Sequence, residues 1–296
     1  MTAISVHGLV KRFGGVTAVD DLSFEVQAGT LTGFVGPNGA GKTTTLRMIL
    51  GLVRPTAGTA LVGGVPYARL DRPARHVGAV LESSGFHPGR TARDHLRVLA
   101  TAGRIPAGRV DEVLSEVDLA GAARRRAGGF SLGMRQRLGL AGALLGDPEV
   151  LILDEPANGL DPAGVHWLRT FLRARVDRGG TVLVSSHLLA ELALSADSVV
   201  IIKDGRLVTQ GPVSEITAGS ATVRVRTPHA EQLRAVLAAR GVAAVLDGPD
   251  EVVASGVETE VVGRAVAEAG LVVYEMSAHR PALEDAFLAL TQGDPR

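Results

Sequence analysis

One segment of the sequence combines glycines, a lysine and a hydroxyl in an order that suits phosphate binding. Its eight residues are Gly36, Pro37, Asn38, Gly39, Ala40, Gly41, Lys42 and Thr43. Glycines let a loop turn its backbone N–H groups inward around a polyphosphate, because a Cβ would obstruct that path at several positions. The lysine supplies a positive charge for the β- and γ-phosphates, and the threonine hydroxyl suits Mg²⁺. The pattern predicts a site for a nucleotide and its magnesium ion.

The residues on either side of this loop give it the context that a phosphate-binding loop requires. A β-strand is predicted over 31–35, directly before the loop, and a helical segment over 44–50 follows it. A helix that begins near Thr43 and Thr44 adds the positive end of its dipole to the site. An incidental glycine-rich turn is the alternative, and it does not account for the strand and the helix.

A second element is the run 150–155, in which four apolar residues end in Asp154 and Glu155. Two unpaired carboxylates at the end of a buried strand would be costly. A magnesium ion would compensate Asp154, and Glu155 would accept a proton from an attacking water as a general base. An ordinary acidic pair at a strand end is the alternative, and this run alone is a modest signal.

Three more short segments of the sequence are informative when they are considered together with the glycine-rich loop and the run 150–155. They are Phe130-Ser131-Leu132-Gly133-Met134, Gly159-Leu160-Asp161 and His187. Together the five resemble the Walker A, signature, Walker B, D-loop and switch histidine of ABC ATPases, and their order and spacing over roughly 4–215 match as well. Five separated segments are far more specific than any one motif.

The resemblance implies that two such cassettes pack head to tail as a homodimer, with each ATP between the Walker A loop of one and the signature of the other. Ser131, Gly133 and Met134 would then face a γ-phosphate, and Asp161 would communicate between the cassettes. The position of Ser131 before the helical run 135–145 agrees with this role. Ser131 could equally do no more than cap its helix.

Two single residues receive roles only from the resemblance. Phe13 would stack on adenine, and His187 would contact the γ-phosphate as a second catalytic residue. A lone aromatic residue can equally belong to the core, and a solitary histidine is usually a surface or core residue.

The chain departs from the usual family pattern at three positions. Glu82 follows the predicted strand 77–81 where a glutamine is usual, and it could still accept from water or bind Mg²⁺. Leu132 replaces a signature glycine, and Met134 replaces the usual glutamine. The combination of segments 81–83, 131–134 and 158–162 is similar to cassettes of bacterial multidrug, bacitracin and lantibiotic-type exporters.

The elements that must position these residues indicate an α/β fold. Short strands at 4–11, 22–26 and 31–35 predict an antiparallel sheet, and apolar runs at 150–153, 181–184 and 199–202 are typical of parallel strands covered on both faces. Helical patterns, such as the one over 109–117, dominate an insert at 92–145. The resemblance implies a P-loop NTPase with a RecA-like parallel core.

The pattern changes after Gly219. The predicted order is β-α-β-β-α-β, a ferredoxin-like α+β arrangement with elements at 222–226, 230–240, 242–246, 252–254, 260–269 and 271–275. An amphipathic segment at 282–290 follows. No nucleotide motif occurs in this part, so we expect a cassette at 1–218 and an accessory domain at 219–296.

Composition narrows the setting in which the protein works. Apolar residues form 46% of the 296 residues, which suits a packed core. No apolar stretch approaches the ~20 residues of a membrane span, and the start has no secretion pattern, so we expect a cytoplasmic protein. The 31 basic and 31 acidic residues balance, so no nucleic-acid partner is expected. The absence of cysteine excludes disulfides and thiol chemistry.

The resemblance implies an ATP-hydrolysing subunit that powers a membrane permease and is held by it at the inner face of the membrane, and the lack of membrane spans in the sequence makes that permease a separate protein. Export of a drug, antibiotic or peptide-like substrate follows from the resemblance alone. A soluble ABC ATPase acting on ribosomes or DNA is the alternative, although such proteins usually carry two cassettes or long coiled coils. A GTPase or small kinase would not explain Ser131, Asp161 and His187 together.

Overall fold

Two units make up the chain, Met1–Gln210 and Gly211–Arg296. The computed structural model describes residues 1–81, 85–186, 192, 194–218 and 222–279. The division lies within the strand Arg206–Pro212, before a short helix, Val213–Ala218, whereas the sequence predicts a boundary after that helix.

The first unit consists of two sheets and several helices. Its strands are β1 (Thr2–Phe13), β2 (Val16–Gln27), β3 (Leu31–Val35), β4 (Ala57–Val62), β5 (Val77–Val80), β6 (Val150–Leu153), β7 (Thr181–Ser186), β8 (Ser198–Lys203) and β9 (Arg206–Pro212). Its helices are α1 (Lys42–Ile49), α2 (Ala92–Ala102), α3 (Arg109–Glu116), α4 (Leu132–Leu144) and α5 (Pro162–Asp177), and α6 (Val213–Ala218) begins the second unit.

The smaller sheet of the first unit has the order β2-β1-β4, and both strand pairs are antiparallel. Phe13 pairs with Val16, so β1 and β2 form a hairpin around the turn Gly14-Gly15. Ile4, Val6 and Leu9 point into the core and are fully buried. The predicted antiparallel pairing is confirmed for the strands at 4–11 and 22–26, which are longer than predicted. The predicted membership of 31–35 is wrong, because this strand is β3 and pairs in parallel within the larger sheet, while β4 completes the antiparallel sheet.

The larger sheet has the order β5-β6-β7-β3-β8-β9. The pairs that join β5, β6, β7, β3 and β8 are all parallel. Every residue of β3, β6 and β7 is buried, which explains why these strands are continuous apolar runs without alternation. Because parallel strands end at one edge, the segments after β3, β6 and β7 meet there. The predicted parallel core is confirmed.

Helices α2, α3 and α4 form the helical insert predicted between β5 and β6. Helix α2 starts at Thr91, whose side chain accepts a hydrogen bond from the Asp94 N–H. Helix α3 buries Val110, Val113 and Leu114 on one face, as its periodicity predicts. Among the described residues, none of the helices combines the length and the apolar character that crossing a lipid bilayer requires.

The second unit contains one four-stranded sheet and two longer helices. After α6 come β10 (Thr222–Arg226), α7 (Ala230–Ala239), β11 (Ala243–Leu246), β12 (Glu251–Ser255), α8 (Thr259–Glu268) and β13 (Glu275–His279). The order β11-β12-β10-β13 with antiparallel pairs is that of a split β-α-β sheet. The buried core includes Val223, Val225, Leu233 and Val252.

The last strand of this unit lies later in the chain than its apolar residues predict. The sequence predicts a strand at 271–275, but β13 spans Glu275–His279. Leu271 is still part of the end of α8, because its N–H donates to the Val266 carbonyl while Gly270 adopts a φ of 64°. Leu271 and Val273 pack against the core without belonging to a strand, whereas Val272 and Tyr274 are exposed. The predicted segment 282–290 lies outside the described residues.

Candidate active site

The glycine-rich loop lies between β3 and α1, as predicted, although α1 begins at Lys42 rather than at residue 44. A Cβ on Gly36 would lie 2.5 Å from the Ile202 carbonyl oxygen, and one on Gly41 would lie 2.5 Å from that of Ala18. Gly41 also has a φ of 98° and is the N-cap of α1, with no side chain capping the helix. The first N–H groups of α1 therefore have neither an intrahelical acceptor nor a capping side chain. Such N–H groups can donate to a bound anion.

A cavity of about 480 Å³ lies over this loop. Its lining residues are Ala18, Pro37, Asn38, Gly39, Ala40, Gly41, Lys42, Thr43, Thr44, Glu155 and Asn158. The fold thus brings the loop together with Glu155, which comes from the segment after β6.

Lys42 is nearly buried, with 7% of its surface exposed. Its Nζ donates to the Gly36 carbonyl at 2.7 Å and to the Pro37 carbonyl at 3.4 Å. The same ammonium lies 3.5 Å from Glu155 Oε1. The lysine is therefore held against its own loop, in the lining of the cavity.

Asp154 and Glu155 share a buried serine. The Ser185 hydroxyl donates to Asp154 Oδ1 at 2.6 Å and accepts from the Glu155 N–H at 2.9 Å. Asp154 is 3% exposed, and its Oδ2 has no hydrogen-bond partner among the described residues. A buried carboxylate oxygen without a donor is costly unless a cation neutralises it. This arrangement fits a divalent ion beside the loop.

Among the described residues, the other predicted site residues do not line the cavity. Phe13 lies at the end of β1 with 51% of its surface exposed, so the alternative that it belongs to the core is wrong. Ser131 caps α4 by accepting from the Met134 N–H at 3.3 Å, and Asp161 caps α5 by accepting from the Gly164 N–H at 2.8 Å. Glu82 and His187 lie outside the described residues.

The signature segment contacts the D-loop of the same chain. A Cβ on Gly159 would lie 2.4 Å from Leu132 Cδ2, and one on Gly133 would lie 3.6 Å from Leu160 Cδ2. Leu132, which departs from the usual family pattern, therefore lies directly over Gly159.

Sequence reasoning missed Ala18, Asn158 and Ser185. Asn158 follows Glu155 in a turn in which its N–H donates to the Glu155 carbonyl at 3.2 Å, so its closeness in sequence could have indicated it. Ser185 stands at the end of a predicted strand, where a hydroxyl among apolar residues was an available signal. Ala18 lies in β2 and has no such signal, because only the packing of the two sheets places it here.

Two family models match this sequence. The model described as ABC transporter covers residues 19–158. A domain of unknown function covers residues 221–284, most of the second unit.

Curated relatives match over most of their own length. A bacitracin transport ATP-binding protein, BcrA of Bacillus licheniformis, is 41% identical over 73% of this chain and 71% of its own. A daunorubicin resistance ATP-binding protein, DrrA3 of Streptomyces coeruleorubidus, is 35% identical over 100% of this chain and 98% of its own. A Nod factor export ATP-binding protein of Burkholderia lata is 36% identical over 97% of this chain and 96% of its own.

Solved structures share the fold of the first unit. A structure described as the ATP-binding subunit of an ABC transporter has a TM-score of 0.66 and 29% identity, covering 72% of this chain and 91% of that one. Another is the dimeric cassette MJ0796, bound to ADP and phosphate in a post-hydrolysis state. It has a TM-score of 0.64 and 22% identity, and the match covers 71% of this chain and 98% of that one.

Proposed function

Since this chain belongs to the ATP-binding proteins of ABC transporters, we propose that a pair of such chains hydrolyses ATP to power export through a separate membrane protein. The observation that carries this proposal is the 3.5 Å approach of Lys42 to Glu155 above the glycine-rich loop. It brings the charge for binding phosphates and the base for hydrolysis to one cavity.

The loop binds the triphosphate. The N–H groups of the loop and of the first turn of α1 surround the phosphates, except that Pro37 has none and the Ala40 N–H donates to the Pro37 carbonyl. Lys42 pairs with the β- and γ-phosphates. Glu155 accepts the proton of the attacking water. The shared cavity that these residues line supports this division of roles.

Thr43 and Asp154 are the residues that would hold a magnesium ion, with Glu82 as a further ligand. The ion supplies positive charge to the β- and γ-phosphate oxygens when it is bound. The buried Asp154 Oδ2 without a donor among the described residues supports this assignment.

The signature acts on the nucleotide of a second chain. Ser131, Gly133 and Met134 stand at the N-terminus of α4, where Ser131 is exposed and the helix dipole favours an anion. Asp161 connects the two cassettes, Phe13 stacks on adenine, and His187 contacts the γ-phosphate. The dimeric MJ0796 cassette, which shares the fold, supports a homodimer.

The membrane partner is an integral permease, which holds this chain at the inner face of the membrane. The relatives named for bacitracin transport, daunorubicin resistance and Nod factor export support a drug, antibiotic or peptide-like substrate. The accessory domain, 219–296, tunes assembly or regulation, since the predicted nucleotide residues all lie in the cassette, 1–218.

A purification of the full chain from membranes of its own cells tests this proposal. We expect a polytopic membrane protein to co-purify, and we expect ATP hydrolysis that depends on Glu155. Recovery with ribosomes or DNA and without a membrane protein would favour the alternative function. If the purified chain hydrolyses no ATP and its recovery does not change with added nucleotide, both the proposed function and the alternative are contradicted.

A further inference from the structure

We infer that Ser185 is a positioning residue that orients both acidic residues of the active site through one buried hydroxyl. This inference rests on the roles proposed above for Asp154 and Glu155. Ser185 is fully buried in β7, and the hydroxyl forms one hydrogen bond with each acidic residue.

The strand register brings the serine to this place. Leu153 of β6 lies opposite Val184 of β7 in parallel register, so Asp154 and Ser185 follow that pair on neighbouring strands. The Asp154 N–H donates in turn to the Val80 carbonyl of β5 at 2.8 Å. Asp154 is thus held by its backbone on one side and by its carboxylate on the other.

The direction of the two hydrogen bonds is determined by their chemistry. The Glu155 N–H can only donate, so the serine oxygen accepts from it, and the serine proton is then directed to Asp154 Oδ1 at 2.6 Å. Oδ1 is thereby occupied, and Oδ2 is the oxygen left for a cation. Ser185 thus selects which oxygen of Asp154 is available.

The same hydroxyl holds the backbone of Glu155. Glu155 has a φ of 47°, a left-handed conformation that is uncommon for residues other than glycine. Such conformations persist where surrounding contacts enforce them, and they cluster at active sites. The bond from the Glu155 N–H to Ser185 is a contact that fixes this turn and therefore the direction in which the general base leaves the strand.

Ser185→Ala tests the inference because it removes both hydrogen bonds and keeps the Cβ. We expect kcat for ATP hydrolysis by the full chain to fall about 10-fold or more, the range seen when a residue that orients a metal ligand is removed. We expect the Mg²⁺ concentration for half-maximal turnover to rise. ATP affinity in the presence of EDTA should stay within about twofold, since the loop contacts are unchanged.

Ser185→Thr and Ser185→Val form a second, shape-matched pair that isolates the hydroxyl if the alanine variant is unstable. A cavity of about 40 Å³ borders Ser185. Threonine and valine have nearly the same shape, so a packing cost would affect both variants alike. The threonine variant retains a hydroxyl at this position and should keep kcat near wild type, whereas the valine variant should behave as the alanine variant does.

Thr181→Val is the matched control. Thr181 is buried at the opposite end of β7, and its hydroxyl accepts from the Gly29 N–H at 3.0 Å. This variant should lose thermal stability but keep kcat and the Mg²⁺ dependence. Equal kinetic losses in Thr181→Val, or equal kcat in the Ser185 threonine and valine variants, would overturn the inference.

Glu155→Gln, measured beside these variants, distinguishes a failure of the proposed function from a failure of the role inferred for Ser185. Near-wild-type turnover of Glu155→Gln contradicts the proposed function of that residue. An inactive Glu155→Gln beside a Ser185→Ala variant with wild-type kcat and Mg²⁺ dependence overturns the role of Ser185 alone.

Discussion

The ammonium group of Lys42 lies 3.5 Å from a carboxylate oxygen of Glu155, although one residue follows β3 and the other follows β6. Both side chains are largely buried, with 7% and 13% of their surfaces exposed. Phosphate groups that enter the loop therefore compete with Glu155 for the same ammonium. The Lys42 ammonium, which is proposed to bind phosphate, and the Glu155 carboxylate, which is proposed as the base, are thus paired with each other in the structure.

Lys42→Ala is expected to abolish ATP binding, because it removes the charge that pairs with the β- and γ-phosphates. Equilibrium dialysis with radiolabelled ATP measures the change. Arg264→Ala, which removes one exposed positive charge from the second unit, is the control and should bind ATP as the wild type does. Normal affinity in the Lys42 variant would contradict the assignment.

Glu155→Gln is expected to keep ATP binding, or to tighten it, because Lys42 loses a competing anion. Turnover should fall by about 10²- to 10⁴-fold, the usual contribution of a general base. The bound nucleotide then persists, so dimers should accumulate in size-exclusion chromatography with ATP.

Glu149→Gln is the matched control for this variant. Glu149 directly precedes Val150, at the opposite end of β6 from Glu155. The same chemical change there should leave turnover and assembly unaltered. Rapid ATP hydrolysis by the Glu155 variant would refute its role as the base.

Gly36→Ala is expected to destabilise the loop, since its Cβ would lie 2.5 Å from the Ile202 carbonyl and 3.1 Å from the Ala40 Cβ. A backbone oxygen cannot move aside as a side chain can, and overpacking of this kind costs about 1–3 kcal/mol. Thermal unfolding and ATP affinity should both decline. Gly15→Ala, where no atom lies within 4 Å, is the control, and an equal effect there would count against this explanation.

Stability is expected to decrease as the pH falls below the ordinary histidine pKa of 6.5, and His95 should be one cause. Burial and then the charge of Arg90 lower the pKa of His95, and its Nδ1 has no hydrogen-bond partner among the described residues. The unfolded chain binds a proton below pH 6.5 that the folded chain does not, so stability is present above this value and is lost toward the lowered pKa.

His95→Gln should weaken this dependence in urea unfolding measured between about pH 5 and pH 8. His7→Gln changes an exposed histidine and should leave the pH profile as it is. An unchanged profile in His95→Gln would show that other groups cause the acid sensitivity.

Local patterns predicted most of the elements. The continuous apolar runs of β3, β6 and β7 identify buried parallel strands, and the helical spacing of Val110, Val113 and Leu114 identifies α3. The predicted place of β13 is wrong because Leu271 and Val273 pack against the core without belonging to a strand. Periodicity reports burial and does not distinguish these two cases.

The sequence by itself determined the glycine-rich loop and the acidic pair, because each depends on residue types at short, fixed spacing. It also determined the family, because five such short segments follow one another in the order that the family shares. Tertiary structure alone decided that Lys42 meets Glu155, that Ser185 joins Asp154 to Glu155, and that Ala18 lines the cavity. These contacts depend on the order and register of strands far apart in the chain. Strand order and register arise from the packing of the whole sheet, which no local spacing of residues contains.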